Sequence, residues 1–337
     1  MEEHSADLLP VAQNIVKKIR LEMAARLVGK SQLVDALITA LLSGGHILLE
    51  GVPGLAKTLA VRSFAELAGL SFKRIQFTPD LLPGDISGSL FYDAKTESFV
   101  ARKGPVFANI ILADEINRAP AKVQSALLEA MEERQVSMGS NSLKLPEPFI
   151  VLATQNPIEH EGTFRLPEAQ LDRFMLKVLL DYPDEKEELE ILRLYSEPKS
   201  TGSEAAAKPK PIFGLQELAV LKEAVKQLRL APEAEAYIVA IVRATRPSHD
   251  TRSQSQALRD ILRYIEFGAS PRASLALYRA ARVAAFLAGR DHVLPEDIKQ
   301  TAPAVLRHRI IPSYEADAER ISPDALIKGI LSAVALP

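Results

Sequence analysis

A glycine-rich segment of the chain carries the residue types that bind a phosphate group. It reads GVPGLAKT over residues 51–58, after the apolar run 46–50 and before a helical pattern from Leu59. In that order, backbone N–H groups at a helix N-terminus surround a phosphate, a lysine reaches its outer oxygens and a hydroxyl binds Mg²⁺. Lys57 and Thr58 fit the last two roles, with a chance glycine-rich turn as the alternative. The predicted phosphate-binding residues are Gly51, Val52, Pro53, Gly54, Leu55, Ala56, Lys57, Thr58 and Leu59.

One residue departs from the general pattern of such loops. Ala56 stands where a glycine usually precedes the lysine, and this places a methyl group close to the phosphate. A side chain is tolerated without strain only where φ is negative. We therefore expect a negative φ at Ala56.

A second apolar run ends in two carboxylates. Residues 109–113 read NIILA and are followed by Asp114 and Glu115. Asp114 is predicted to hold Mg²⁺ through water, and Glu115 to polarise the water that attacks the terminal phosphate. An acidic pair that caps a helix is the alternative. The phosphate-binding loop earlier in the chain favours the catalytic interpretation.

A sheet must position these groups, and the first part of the chain supplies its strands. Short apolar runs alternate there with helical stretches, which is typical of an α/β domain with a buried parallel sheet. The predicted strands are 46–49, 72–77, 109–113, 149–154 and 174–180. Two further segments, 89–100 and 135–145, read as β-hairpins inserted into this core, with surface loops as the alternative.

The pattern changes after residue 195. Residues 196–211 read SEPKSTGSEAAAKPKP, which is the composition of a linker. The remainder shows helical patterns and no convincing strand. These helices are predicted at 215–230, 233–245, 274–288 and 295–306. The sequence thus predicts a core over 1–195, a linker over 196–211 and a small all-α domain over 212–337.

Composition excludes several classes of chemistry. The 337 residues contain no cysteine, which excludes disulfides, Cys-ligated zinc, iron–sulfur clusters and a thiol nucleophile. No apolar run approaches 18 residues, and the N-terminus is acidic. We therefore expect a cytoplasmic protein that neither spans a membrane nor is exported.

Charge is distributed unevenly along the chain. Residues 1–195 hold 21 Lys and Arg against 27 Asp and Glu, a net charge of −6, while the remainder holds 20 against 16, a net charge of +4. Neither value is the strongly basic footprint of a dedicated nucleic-acid binder. A nucleic-acid partner is therefore not expected.

Several longer strings together resemble the MoxR family of AAA+ ATPases. They are GVPGLAKT (51–58), ADEINRAP (113–120), LLEAMEER (127–134), ATQNP (153–157), LPEAQLDRF (166–174), GASPRA (268–273) and LRHRII (306–311). The resemblance covers nearly the whole chain. It implies an AAA+ P-loop core with a parallel five-stranded sheet and inserted β-hairpins, followed by a small all-α lid. The family usually has an alanine at the position of Ala56, so that departure does not count against nucleotide binding.

The resemblance also implies roles for residues outside the two motifs. Asn156 matches the sensor-1 residue, which orients the lytic water or touches the γ-phosphate. Arg173 matches the arginine finger, a cation donated to the γ-phosphate of the neighbouring subunit. Arg272 matches sensor 2, where lid and nucleotide meet. Val28 and Gly29 occupy the place of the family's backbone contacts to adenine.

Two of these residues have other interpretations. Asn156 alone could be an ordinary turn residue after a strand. Arg173 could form a surface salt bridge with Asp172 or a nearby glutamate. Gln76 ends a predicted strand and could be the polar switch that holds Glu115 back until ATP and a partner are in place.

The same resemblance implies a location for the two predicted hairpins. One insert of this branch of AAA+ proteins interrupts helix 2, a second precedes sensor 1, and both tend to face the pore or axial surface of a ring. Phe91, Tyr92 and Phe99 would then be exposed aromatics, with burial beneath the insert as the alternative.

The function implied is an ATP hydrolase with ATP and Mg²⁺ as cofactors that forms a ring, a hexamer, and acts as a chaperone that remodels or activates partner complexes. A separate von Willebrand factor A domain protein or another client would be the partner. A magnesium-chelatase-like motor subunit and a DNA helicase remain alternatives, although hairpin 135–145 offers DNA only Lys144. An alternative from another functional class is a nucleotide-gated assembly module that hydrolyses ATP negligibly. The presence of Lys57, Glu115 and Arg173 argues against that alternative.

Overall fold

The chain divides into two compact units. The computed structural model describes residues 8–95, 97–139, 141–157, 163–196, 211–247 and 255–337. The sheet unit comprises residues 10–166 and 178–220, and the helical unit comprises 1–9, 167–177 and 221–337, each in its described parts. Of the predicted linker 196–211, only the two end residues are described. The boundaries drawn from composition stay a prediction.

Strands and helices alternate through the sheet unit, and helices dominate the helical unit. The strands are β1 (Ile47–Glu50), β2 (Phe72–Gln76), β3 (Gly88–Asp93), β4 (Ser98–Lys103), β5 (Ile110–Asp114), β6 (Gln135–Met138), β7 (Asn141–Lys144), β8 (Ile150–Gln155), β9 (Leu176–Leu179), β10 (Ile265–Phe267) and β11 (Ile311–Pro312). The helices are α1 (Leu8–Ala24), α2 (Ser31–Ser43), α3 (Lys57–Leu67), α4 (Pro83–Ser87), α5 (Ala121–Glu133), α6 (Glu168–Leu171), α7 (Glu185–Ser196), α8 (Leu215–Gln227), α9 (Pro232–Ala244), α10 (Gln256–Leu262), α11 (Pro271–Leu287), α12 (Pro295–Leu306), α13 (Tyr314–Ala318) and α14 (Pro323–Ala333).

The main sheet has five strands in the order β2-β5-β8-β1-β9. The pairings β2–β5, β5–β8 and β8–β1 are parallel. β1, β5 and β8 are buried on both faces, as expected for central parallel strands that read as continuous apolar runs. Because parallel strands share a direction, their carboxyl ends meet at one edge, and the predicted functional residues follow there. All five predicted strands are confirmed to within two residues at their ends.

Both predicted hairpins are present. β3 pairs with β4 and β6 with β7, each in antiparallel register, while Thr96 and Ser140 in the two turns lie outside the described residues. On the first hairpin, Phe91 is 50% exposed, Tyr92 59% and Phe99 70%. The rings of Tyr92 and Phe99 meet edge to face across the strands at 5.5 Å. These aromatics lie on the surface of the chain and not beneath the insert.

The predicted helices are present as α8, α9, α11 and α12, and the helical unit contains further elements that were not predicted. They include the helices α10, α13 and α14 and one small sheet. β10 and β11 pair antiparallel as a two-stranded sheet. They span three and two residues, which is too short for an alternating pattern to be recognised in the sequence. Among the residues that the structure describes, no helix is both long enough and apolar enough to cross a bilayer.

A buried histidine links the sheet to α5. Nδ1 of His46 accepts a hydrogen bond from the backbone N–H of Val151 at 3.0 Å, so its Nε2 carries the proton and donates to the carbonyl oxygen of Met131 at 3.3 Å. The ring of Phe149 packs against it edge to face. Burial is the main cause that lowers the pKa of His46 to about 4.

This histidine predicts a loss of stability in mild acid. Its pKa is lower in the folded than in the unfolded chain, so the unfolded chain takes up the proton first as pH falls through 6.5. Between pH 6.5 and about 4, we expect His46 to remove about 3 kcal/mol from the free energy of unfolding, with no further change below that range. Denaturant titrations at several pH values measure this slope. His46→Gln should make it shallower by about one proton, and an unchanged slope would contradict the assignment.

Candidate functional site

The carboxyl edge of the sheet opens into a cleft of about 360 Å³. It is lined by the loop between β1 and α3 and by the ends of β2, β5 and β8. The lining residues are Gly51, Pro53, Gly54, Leu55, Ala56, Lys57, Thr58, Leu59, Arg74, Asp114, Glu115, Thr154, Gln155 and Asn156. The structure therefore brings together the predicted phosphate-binding loop, the acidic pair and Asn156.

The loop has a close packing constraint at its start and open space at its centre. A Cβ atom at Gly51 would lie 2.7 Å from the carbonyl oxygen of Leu180, so only glycine fits there. Gly54 has a φ of +87°, and a Cβ atom there would meet nothing within 4 Å. Its left-handed backbone thus lies beside free space, as a loop that surrounds a ligand requires.

The expected negative φ at Ala56 is wrong. Ala56 has φ 56° and ψ 22°, the left-handed conformation, directly before the first helical residue, Lys57. The loop must turn abruptly into α3, and the position takes the conformation that a glycine would adopt there. An alanine pays a strain of about 1–2 kcal/mol for it.

We expect Ala56→Gly to raise the free energy of unfolding by about 1 kcal/mol, because glycine adopts this backbone without a Cβ clash. Denaturant titration measures the change. Ala60→Gly, in the helical turn that follows, is the matched control and should lower stability by about 1 kcal/mol. Loss of stability in both variants would show that the left-handed alanine is not strained.

Lys57 lies at the base of the cleft. Its Nζ donates a hydrogen bond to the carbonyl oxygen of Gly51. Burial lowers the pKa of Lys57, and the negative charges of Asp114, Glu115 and Glu50 oppose that shift. An ammonium group held in a partly desolvated site attracts phosphate oxygens more strongly than one in bulk water.

Asp114 is held by side chains from two neighbouring strands. Its Oδ1 accepts a hydrogen bond from Thr154 Oγ1 at 2.6 Å. Its Oδ2 accepts from Arg74, at 3.0 Å from Nε and 2.7 Å from Nη2. The same Thr154 oxygen accepts from the backbone N–H of Glu115 at 2.8 Å, so one hydroxyl orients both acidic residues.

Glu115 is turned by its backbone and held by its neighbours. It adopts a left-handed conformation, with φ 57° and ψ 50°. Its Oε2 accepts a hydrogen bond from Gln76 Nε2 at 2.7 Å and lies 3.1 Å from Nε of Arg118. The predicted contact between Gln76 and Glu115 is therefore present.

The residue predicted to sense the γ-phosphate lines the cleft, whereas the two residues predicted to contact adenine do not. Asn156 follows β8, is 8% exposed and lines the cleft. Val28 and Gly29 do not line it. A Cβ atom at Gly29 would overlap the carboxylate of Glu187 in α7, so this segment packs closely against that helix.

The two predicted arginines of the phosphate chemistry both belong to the helical unit. Arg173 follows Asp172, whose Oδ1 accepts from Nε of Arg309 at 2.7 Å and whose Oδ2 accepts from Ser270 Oγ at 2.9 Å. Nη1 of Arg272 lies 3.8 Å from the same Oδ2. Asp172, the residue next to Arg173, thus pairs with both Arg309 and Arg272.

Arg309 fastens this segment through its backbone as well. Its side chain is 3% exposed, and it donates to the carbonyl oxygens of Met175 at 3.1 Å and Phe174 at 2.7 Å. A buried guanidinium needs this many acceptors to offset its desolvation. Arg173 therefore belongs to a segment, residues 172–175, whose backbone and Asp172 side chain are held by Arg309. We call this segment the Arg173 strap.

Three residues of the site were missed by sequence reasoning. Thr154 and Arg74 contact Asp114 only because β8 and β2 flank β5, and strand order is not written in a local pattern. Arg74 and Gln76 share one strand face through their spacing of two, and that signal could have drawn attention to Arg74. Arg309 lies in a recognised string, but its partner Asp172 is distant in the chain.

The residues that line the cleft fit a nucleoside triphosphate with Mg²⁺. The open backbone at Gly54 and the cation of Lys57 suit phosphate oxygens. Thr58 and Asp114 line the same cleft and offer the oxygen ligands that Mg²⁺ prefers. The cleft would hold the phosphates against the loop and the metal beside Thr58 and Asp114.

Family models match both parts of the chain. Residues 46–176 match the ATPase family associated with various cellular activities (AAA), and residues 260–330 match the AAA lid domain. The first match spans β1, β2, β5 and β8 of the main sheet and ends at the first residue of β9. The second lies within the helical unit.

Curated and solved relatives cover almost the full length. The chain is 46% identical to Chaperone MoxR1 of Mycobacterium tuberculosis over 98% of this chain and 85% of the relative. It is 31% identical to Protein MoxR of Methylorubrum extorquens over 94% of this chain and 93% of the relative. A crystal structure described as a candidate ATPase from Cytophaga hutchinsonii superposes with a TM-score of 0.88 at 43% identity, covering 99% of this chain and 98% of that one.

Proposed function

Since the chain belongs to the MoxR family of AAA ATPases, we propose that its ATP hydrolysis drives the remodelling or activation of partner protein complexes. The observation that carries this proposal is the 2.7 Å hydrogen bond from Gln76 Nε2 to Glu115 Oε2. A candidate base that is restrained beside an open cleft is suited to an ATPase that stays slow until a regulatory event releases the base. Binding of a partner protein would be that event.

The residues take the following roles in this proposal. Lys57 binds the β- and γ-phosphates, Thr58 and Asp114 hold Mg²⁺, Glu115 polarises the attacking water, and Asn156 orients it. Each role is supported by the side chain's place in one cleft.

Four further residues, Arg173, Arg272, Val28 and Gly29, complete the proposed nucleotide site. Arg173 would reach the γ-phosphate of a neighbouring subunit and offset transition-state charge. Arg272 would respond to the nucleotide from the lid, and the backbone at Val28 and Gly29 would contact adenine. The anchoring of the Arg173 strap by Arg309 supports a residue that must be presented in a fixed position.

The assembly proposed is a ring, a hexamer, in the cytoplasm. Its partner would be a von Willebrand factor A domain protein or another client. Exposed Phe91, Tyr92 and Phe99 on the first hairpin support contact with a protein, because aromatic side chains are enriched at protein interfaces.

Steady-state ATPase activity per subunit as a function of protein concentration tests the proposal. We expect activity per subunit to rise with concentration and to level off as rings form, in parallel with mass measured by sedimentation. A purified von Willebrand factor A protein encoded beside this gene should stimulate the plateau. Stimulation by DNA in place of protein would favour the helicase alternative, and adjacent chelatase genes would favour the chelatase alternative.

A further inference from the structure

An arginine that no predicted role accounts for lies in the cleft. Arg74 lies on β2, the edge strand next to β5, where its guanidinium reaches Asp114 Oδ2 through two nitrogens at 3.0 and 2.7 Å. Its Nη2 also donates to Gln76 Oε1 at 2.7 Å. The side chain of Arg74 is 49% exposed, whereas that of Asp114 is 17% exposed.

These contacts join both acidic residues into one chain of hydrogen bonds. Asp114 accepts from Arg74, Arg74 donates to Gln76, and Gln76 donates its amide to Glu115 at 2.7 Å. Each bond has a single possible direction, because a guanidinium only donates and a carboxylate only accepts. The Gln76 amide is thereby oriented with its NH₂ group toward Glu115.

The guanidinium competes with a metal for the same oxygen. Oδ2 of Asp114 accepts from two nitrogens of Arg74, whereas Oδ1 accepts a single hydrogen bond, from Thr154. Arg74 therefore covers one of the two oxygens that could hold a cation or the water bound to it. Mg²⁺ carries twice the charge, yet it must displace Arg74 from Oδ2 to be held there. Since Arg74 is half exposed, it can exchange this contact for water at small cost.

We propose that Arg74 is a positioning residue that links metal binding at Asp114 to release of the base, Glu115. This inference rests on the proposed roles of Asp114 and Glu115. In the metal-free site, Arg74 stands in for the cation at Asp114 and anchors Gln76 on Glu115. When Mg²⁺ binds at Asp114, Arg74 would leave and Gln76 would lose its anchor. Of the two contacts described for its Oε2, Glu115 would then keep the one to Arg118 and could turn toward the attacking water. Arg74 thus ensures that Glu115 is restrained whenever the metal is missing.

Arginine is required for this double contact. Its planar fork presents two nitrogens to one carboxylate oxygen and still reaches Gln76. A lysine at this position keeps the charge but loses the second contact to Asp114, made by Nε, that fixes the guanidinium in plane, so it holds the Gln76 amide less firmly. The two parts of the proposal can therefore be separated by substitution.

The first test is Arg74→Met, with Arg62→Met as the matched control. Arg62 pairs with Glu66 on the surface of α3 and does not line the cleft. We measure the Mg²⁺ concentration that half-saturates binding of a fluorescent, non-hydrolysable ATP analogue. In Arg74→Met it should fall by about fivefold, and basal ATPase activity should rise. The control should leave both unchanged.

The second test is Arg74→Lys, which keeps the charge and loses the fork. The Mg²⁺ half-saturation should stay near that of the wild type, while basal ATPase activity should rise as in Arg74→Met. This split separates charge competition at Asp114 from anchoring of Gln76, and thermal unfolding checks that all variants fold. Unchanged half-saturation in Arg74→Met, or lower basal activity in both variants, would overturn the proposal.

Asp114→Asn distinguishes failure of this proposal from failure of the site itself. That variant should weaken the Mg²⁺ dependence of analogue binding. If it does so while Arg74→Met changes nothing, the metal role of Asp114 stands and the role of Arg74 is wrong. If Asp114→Asn has no effect, the metal assignment itself is wrong.

Discussion

Glu115→Gln should leave ATP binding intact and lower turnover by about 10²–10⁴-fold. The amide retains the shape of the side chain and can still accept a hydrogen bond from Gln76, so the cleft keeps its form. It cannot take up a proton, so the attacking water is no longer activated. Binding of a fluorescent ATP analogue and steady-state phosphate release measure the two effects separately.

Glu129→Gln is a suitable control for this substitution. Glu129 is exposed on α5 and does not line the cleft, so the same chemical change there should leave turnover unaltered. Sedimentation should find Glu115→Gln assembled to the same extent as the wild type. Normal turnover in Glu115→Gln would remove Glu115 from the role of general base.

Arg173→Ala should lower turnover by about 10³–10⁵-fold, the range measured for removal of an arginine finger. Its own phosphate loop stays intact, so ATP binding should persist. The missing cation would have offset charge at the γ-phosphate of the neighbouring subunit. Phosphate release at a saturating concentration of the variant measures the loss.

Mixing subunits tests whether Arg173 acts in trans. Lys57→Ala subunits cannot bind the phosphates but still carry Arg173, so adding them to Arg173→Ala subunits should restore part of the activity. A double variant, Lys57→Ala with Arg173→Ala, should restore none and serves as the matched control. If the single and double variants rescue equally poorly, a finger in trans is the wrong description.

The sequence reveals the parts of the site that follow an apolar strand directly. Asp114, Glu115 and Asn156 each come at or just after the end of a buried run. Lys57 follows β1 through the glycine-rich loop. The parallel sheet aligns the ends of those runs at one edge. The alternation of strands and helices likewise predicts the fold of the core, because a parallel sheet needs helical crossovers.

The remainder depends on properties that no local pattern encodes. Arg74 meets Asp114 because the register of β2 against β5 pairs Gln76 with Asp114 and places Arg74 two residues earlier. Asp172 and Arg309 are 137 positions apart, and only the folded chain joins them. The left-handed φ of Ala56 follows from the turn into α3, which overrides the usual preference of alanine.

The buried contact between Asp172 and Arg309 has a genetic consequence. Under the proposed trans role, Arg173 serves the next subunit, and the strap that carries it depends on Asp172. A variant such as Asp172→Asn that still folds and joins the ring would leave its own catalytic residues in place and impair its neighbour's. In a cell that makes both versions, normal subunits would lose activity beside the altered ones. Such an allele would behave as dominant, although the altered residue lies in the helical unit and outside the cleft.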